Sequence, residues 1–366
     1  MAEIDYYLQF MVEQGASDFH LGSMVRPTLR INGQMVTTTA ESTEPFTPEQ
    51  VWALIDEIIP ERNRKQFLAE SDTDFAYALS GIGRFRVNVF EDNNGTGAVF
   101  RHIPDKIMTF EELGLPSVLY KLCGLHKGII LVTGPTGSGK STTLAAIVDY
   151  LNNHRSSHII TIEDPIEFVH RNRRCIVNQR EIHRHTDSFK RALRAALRQD
   201  PDIVLVGEMR DLETTEMAIR TAETGHLVLA TLHTSTAGST VDRIIDQFPA
   251  DQQAQVRTML SVSLKGIVCQ TLMRRKDGKG RIAAFEIMVG TSAISNLIRE
   301  GKTFQIPNAI QTGGSLGMQE LNGHLLTLVE NGMVDPGEAY AHSVNKAAMQ
   351  TRLSAAGYDL PAQKQG

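Results

Sequence analysis

No stretch of this chain limits its possible folds more than residues 128–142, "GIILVT" running directly into "GPTGSGKST". A short, continuous apolar run with β-branched residues predicts a strand buried on both faces. The segment after it fits G-x-x-x-x-G-K-[ST], and "TTLAAIVDYLN" beyond reads as a helix. A strand that turns through glycines into a helix points backbone N–H groups and the positive end of the helix at one spot, a cradle for phosphate. Gly134, Pro135, Thr136, Gly137, Ser138 and Gly139 are therefore expected to wrap the β-phosphate of ATP. Lys140 would neutralise β- and γ-phosphate oxygens, and Ser141 would ligate Mg2+.

Such a loop needs a sheet to stand on, and from about residue 116 the sequence supplies one. "HIITIE", "DIVLVG" and "HLVLATLH" are further apolar runs alternating with helical stretches. This βαβ rhythm predicts an α/β core over 116–290, a mostly parallel sheet with helices on both faces. Residues 291–355 read as helical, and 356–366 as a disordered polar tail. Residues 105–115 read as a linker, and 1–104 as a small α+β domain. Its first helix, "DYYLQFMVEQG", closes at Gly15, and "TLRINGQMV" predicts a hairpin turning at Asn32-Gly33. Thr47, Pro48 and Gln50 form a capping box for a helix with the apolar stripe Val51, Leu54, Ile55 and Ile58. In "RFRVNVF", Phe85, Val87 and Val89 alternate with Arg84, Arg86 and Asn88, as expected of a sheet with one solvated face.

Acids at the carboxyl ends of parallel strands lie where α/β proteins place their chemistry. "DIVLVGEMRD" has Gly207 where an acid usually follows the apolar run, and Glu208 one place later. Glu208 is long enough to orient, or take a proton from, a water attacking the γ-phosphate. Magnesium then leans on Glu163, Asp164 and Glu167 of "TIEDPIEF", with Pro165 fixing the turn. His226 and His233 flank "LVLATL", and His233, after the strand, is the likelier γ-phosphate contact of the two.

Composition narrows the function. The chain has 366 residues and a formal net charge of -5, which counts against nonspecific coating of nucleic acid. Cys123, Cys175 and Cys269 stand far apart with no C-x-x-C pair, so neither a zinc ribbon nor a disulfide scaffold is expected. The acidic start "MAEIDYYLQF" does not read as a secretory signal, and no apolar run reaches the ~18 residues of a membrane span. The expected compartment is the cytoplasm.

Four stretches in order, "GPTGSGKS", "TIEDPIEF", "LVGEMRD" and "TGHLVLATLHT", resemble the Walker A, Asp-box, atypical Walker B and His-box set of secretion ATPases. The closest resemblance is to type IV pilus retraction ATPases of the PilT type, extending through "ASDFHLGS" and "SAISNLIREGKTFQIPNAIQTG". The resemblance implies a PAS-like amino-terminal domain, a RecA-like ATPase domain and a homohexameric ring. It also implies ATP with Mg2+, and catalytic roles for Glu208, Glu163 and His233. Arg86 and Arg101 would reach toward a neighbour's nucleotide. An inner-membrane platform protein is the implied partner, at the cytoplasmic pilus base, with a paralogous retraction ATPase as a second. The lack of a four-cysteine zinc site favours the retraction branch. Ser295 stands where the family has an arginine in its carboxy-terminal motif, while Arg299 and Glu300 remain. That leaves an accessory PilU-like subunit as an alternative, and a RecA-like nucleic-acid translocase as another. Lys190, Arg191, Arg194 and Arg198 share one helical face, suited equally to solvent or to a subunit interface.

Overall fold

The computed structural model describes residues 2–31, 33–37, 44–103 and 106–358. The chain separates into two compact units, residues 1–107 with 167–169, and residues 108–166 with 170–366. Asn32 and the end of the polar tail, 359–366, lie outside the described residues.

The first unit is an antiparallel sheet with helices on one face. Its strands are β1 (Asp18–Gly22), β2 (Thr28–Ile31), β3 (Gln34–Thr37), β4 (Asp72–Leu79), β5 (Gly83–Asp92) and β6 (Gly95–Ile103), in the order β3-β2-β1-β6-β5-β4. The alternation in β5 decides which face is covered: Phe85, Val87 and Val89 are fully buried, and Arg84, Arg86 and Asn88 stand on the other side. Helices Ile4–Glu13 and Pro48–Asp56 lie over that apolar face. The second begins at the expected capping box, Thr47 with Gln50, and buries Val51, Leu54 and Ile55; Ile58 falls just past its end. The hairpin pairs Ile31 with Gln34, and Gly33 has φ +84°. On the uncovered face one register row runs Arg86, Arg101, Asp18, Arg30 across four strands.

The second unit is built on seven strands, β7 (Gly128–Thr133), β8 (His158–Glu163), β9 (Ile176–Glu181), β10 (Ile203–Val206), β11 (Leu227–Leu232), β12 (Leu264–Arg274) and β13 (Arg281–Val289). Their order is β13-β12-β7-β11-β10-β8-β9, parallel throughout except for β13. Every residue of β7, β10 and β11 is buried, because helices cover both faces and successive side chains enter opposite cores. Ile129, Leu131, Val204 and Val206 face one core; Ile130, Val132, Ile203 and Leu205 face the other. The chain after β13 is helical, and Leu325, Val334, Met349 and Leu353 close a further small core over Met273 and Ala284. Among the described residues no helix is long and apolar enough to cross a membrane.

Candidate active site

The centre of the sheet ends in the phosphate loop. β7 stops at Thr133, the loop occupies 134–139, and the helix Lys140–His154 starts at once. The loop hugs the neighbouring strand so closely that a Cβ on Gly134 would lie 2.2 Å from the Gln270 carbonyl oxygen, and Gly134 has φ +143°. Only glycine fits both conditions. Lys140 Nζ donates to the carbonyls of Gly134 (2.9 Å) and Pro135 (3.1 Å), folding the ammonium over the loop. Pro135, Thr136, Gly137 and Ser141 are exposed, so the rim and first helical turn are open to a ligand. Ser138 lies deeper in the loop. Its side chain is buried and its N–H bonds the Pro135 carbonyl, which makes it part of the loop's frame.

The acids expected at the strand ends converge. Gly207 N–H donates to the Ile162 carbonyl (2.8 Å) and Met209 N–H to the Thr231 carbonyl (3.1 Å), so the segment after β10 is stitched between β8 and β11. Glu208 Oε1 lies 3.0 Å from His233 Nε2, and Oε2 lies 2.8 Å from Arg210 Nε. Burial pushes the Glu208 carboxyl up, but the Arg210 guanidinium and His233 together outweigh it and hold the group below the usual glutamate range. Arg210, drawn also to Asp164, was not singled out by sequence reasoning. Its signal is the i, i+2 spacing from Glu208, with the buried Met209 between two polar side chains. Glu163 ends β8 beside this segment; its Oε1 accepts from Thr161 Oγ1 (2.6 Å) and Gln179 Nε2 (3.1 Å). Asp164 is exposed on the turn that follows, through a cis bond to Pro165.

Within the second unit, His226 is not brought to this cluster. His226 stands at the amino end of β11, where its carbonyl accepts the Gly128 N–H and its Nδ1 lies 3.0 Å from the Thr221 carbonyl. The whole length of β7, roughly 20 Å at ~3.3 Å per residue, separates that end from the loop. Glu167 groups with the first unit. Arg86 and Arg101 are cross-strand neighbours in that unit; Arg101 Nε meets Asp18 at 2.8 Å and Arg86 Nε meets Asp74 at 3.6 Å. Lys190 pairs with Glu213 (2.6 Å) and Arg191 with Asp187, while Arg194 and Arg198 are exposed. Ser295 Oγ donates to the Ser261 carbonyl (2.6 Å), so the hydroxyl at the family's arginine position is satisfied within the chain.

A family profile described as "Type II/IV secretion system protein" matches residues 4–322. The chain belongs to the type II/IV secretion system protein family. The "Type IV pilus retractation ATPase PilT" of Pseudomonas aeruginosa strain PAO1 is 54% identical over 332 residues, 91% of this chain and 95% of that protein. The "Type IV pilus ATPase PilU" of the same strain is 41% identical over 353 residues, 96% of this chain and 92% of its own length. A crystal structure titled for the pilus retraction motor PilT and bound ADP superposes with a TM-score of 0.87 at 44% identity, covering 96% of this chain and 99% of that one. The chain is an ATPase, and among the secretion ATPases it resembles the pilus retraction motors.

Proposed function

We propose that this chain is the ATP-hydrolysing motor of type IV pilus retraction, working as a homohexamer on the cytoplasmic side of the inner membrane against a platform protein. The observation that supports it best is the Glu208–His233 pair at the carboxyl ends of β10 and β11, the strands that follow β7 and its phosphate loop in the sheet. In this reading Lys140 and the loop N–H groups hold the triphosphate. Glu208 takes a proton from the water that attacks the γ-phosphorus, the bond to the bridging oxygen breaks, and ADP and phosphate leave. Each Glu208 oxygen has one partner, Arg210 or His233, and an ionised carboxylate oxygen has a further lone pair with which to accept from that water. His233 is the partner suited to turn, because its N–H serves a γ-phosphate oxygen as well as a carboxylate.

The residues present fit Mg2+. Ser141 and Glu163 are hard oxygen donors, and among the described residues no three His, Cys, Asp or Glu side chains converge on a cation. A cation held by one or two protein oxygens and completed by phosphates and water is the arrangement magnesium favours. When bound it would neutralise charge on the phosphate oxygens. Arg86 and Arg101 are assigned to the nucleotide of the next copy in the ring, so that loss of the γ-phosphate weakens the interface it had drawn together.

Glu208→Gln tests the reading: purified protein should bind ATP and turn over little, and cells making only this form should display pili they cannot withdraw. Near-normal phosphate release would remove Glu208 from the chemistry. The accessory, PilU-like role is the second reading, favoured by the 41% identity over nearly the whole chain. Cells lacking the chain decide between them: continued retraction would favour the accessory role.

A further inference from the structure

We infer that Gln270 is a positioning residue for the phosphate loop, setting the direction of the Gly139 N–H. This rests on the reading of 134–141 as the phosphate site. Gln270 lies on β12, one residue past the last rung joining that strand to β7, Cys269 opposite Thr133. It is buried, and its carboxamide is spent entirely on the loop and its helix: Nε2 donates to the Ser138 carbonyl (2.5 Å), and Oε1 accepts from Thr143 Oγ1 (2.7 Å). The orientation of the amide is fixed by chemistry, because a carbonyl only accepts and must face the NH2 group.

The consequence follows from the planarity of the peptide bond. In a trans peptide the C=O and the next N–H point in opposite directions. Holding the Ser138 carbonyl against Gln270 therefore turns the Gly139 N–H away from Gln270, as a donor for an anion outside the loop. Gly139 has φ +87°, and a Cβ there would lie 2.8 Å from Gln270 Nε2, so a freely rotating residue packs directly against the group that restrains it. Without that restraint the 138–139 peptide can rotate, and the cradle exists only part of the time. Apparent affinity then falls in proportion to the competent fraction.

The same strand reaches the carboxy-terminal helices. Thr271, on the opposite face, places Oγ1 3.0 Å from His342 Nδ1, and Arg274 N–H donates to Glu338 (3.0 Å), both on the helix Pro336–His342. Gln270 thus holds the loop from a strand that is itself anchored on its other face.

Gln270→Met keeps the length and removes both bonds. The full-length variant should bind a fluorescent ADP analogue about tenfold more weakly and show a similar rise in KM for ATP, with kcat within about threefold. A purely structural role would lower the melting temperature and leave affinity alone. A folded Gln270→Met with affinity within about twofold of the parent overturns the inference. Should this variant not fold, Thr143→Val and Thr143→Ser supply the comparison: the valine form should bind about threefold more weakly and the serine form like the parent, and equal affinities overturn it. Lys140→Ala, measured alongside, separates the two levels. If it binds nucleotide normally, the phosphate-site reading itself fails; if only it loses binding, the Gln270 role alone fails.

Discussion

Replacing Gly207 by alanine puts a methyl group where the end of β10 meets β8. Its carbon would stand 3.1 Å from the Ile162 carbonyl oxygen and 3.3 Å from Glu163 Cα. Both are main-chain atoms, so the strand end has to yield by a few tenths of an ångström. Overpacking of this kind costs about 1–3 kcal/mol, offset by about 0.4–1 kcal/mol from the smaller freedom of the unfolded chain. A net loss of about 1–2 kcal/mol corresponds to a melting temperature lower by about 2–8 °C for a unit of this size. The displaced strand end carries Glu163. A misplacement of 1 Å can cost about 100-fold, so a few tenths should lower kcat about three- to tenfold. Nucleotide affinity should hold, since β11 separates β10 from the loop-bearing β7. Phosphate release against ATP concentration and a thermal melt on one preparation measure both. The same tight contact explains the missing acid: Gly207→Asp should lower kcat further, although it restores a carboxylate at the usual place. An alanine variant with unchanged melting temperature and unchanged kcat would refute the steric account.

Glu208→Gln should lower kcat about 10²–10⁴-fold with nucleotide affinity intact. Its stability should barely change, because Arg210 is 65% exposed and such a pair contributes at most about 1 kcal/mol; calorimetry with a kinetic assay checks both. Lys140→Ala should weaken binding and turnover together, read by ADP titration. Burial holds His324 below the ordinary imidazole value of about 6.5, and its Nδ1, accepting the Phe285 N–H at 3.1 Å, must be unprotonated to do so. The folded chain therefore binds this proton less readily than the unfolded one: its contribution is complete above about pH 6.5 and fades as pH falls. Melting from pH 7.5 to about 5.5 should show a steeper loss in the parent than in His324→Gln; equal slopes would count against it. Phe100→Ala, fully buried in the first sheet, should cost about 3–5 kcal/mol in denaturant unfolding.

The parts legible in the sequence are those encoded locally. The phosphate loop announces itself because glycines, lysine and flanking elements are contiguous, and Thr47 with Gln50 caps its helix within four residues. The alternation along β5 is equally local. The site's remaining parts depend on register between distant segments. Gln270 lies 132 residues from Ser138 and is brought to it only by the β7–β12 pairing, so no spacing marks it. Gln179 reaches Glu163 because β9 pairs in parallel with β8, Thr161 opposite Gln179. The two histidines around β11 are already separable in sequence, since His233 follows the strand and His226 precedes it, and the structure puts His226 at the amino end.

The row Arg86, Arg101, Asp18, Arg30 has three guanidiniums and one carboxylate, and Asp18 is nearly buried between two of them. Like charges directly opposite on neighbouring strands repel, and with Asp74 beside Arg86 two acids face three guanidiniums, which leaves one positive charge over. The first unit therefore keeps one uncompensated positive charge along this row, with Arg86 and Arg101 directly opposite each other. An anion that meets this row eases the repulsion between Arg86 and Arg101, so its arrival bears on four paired strands at once.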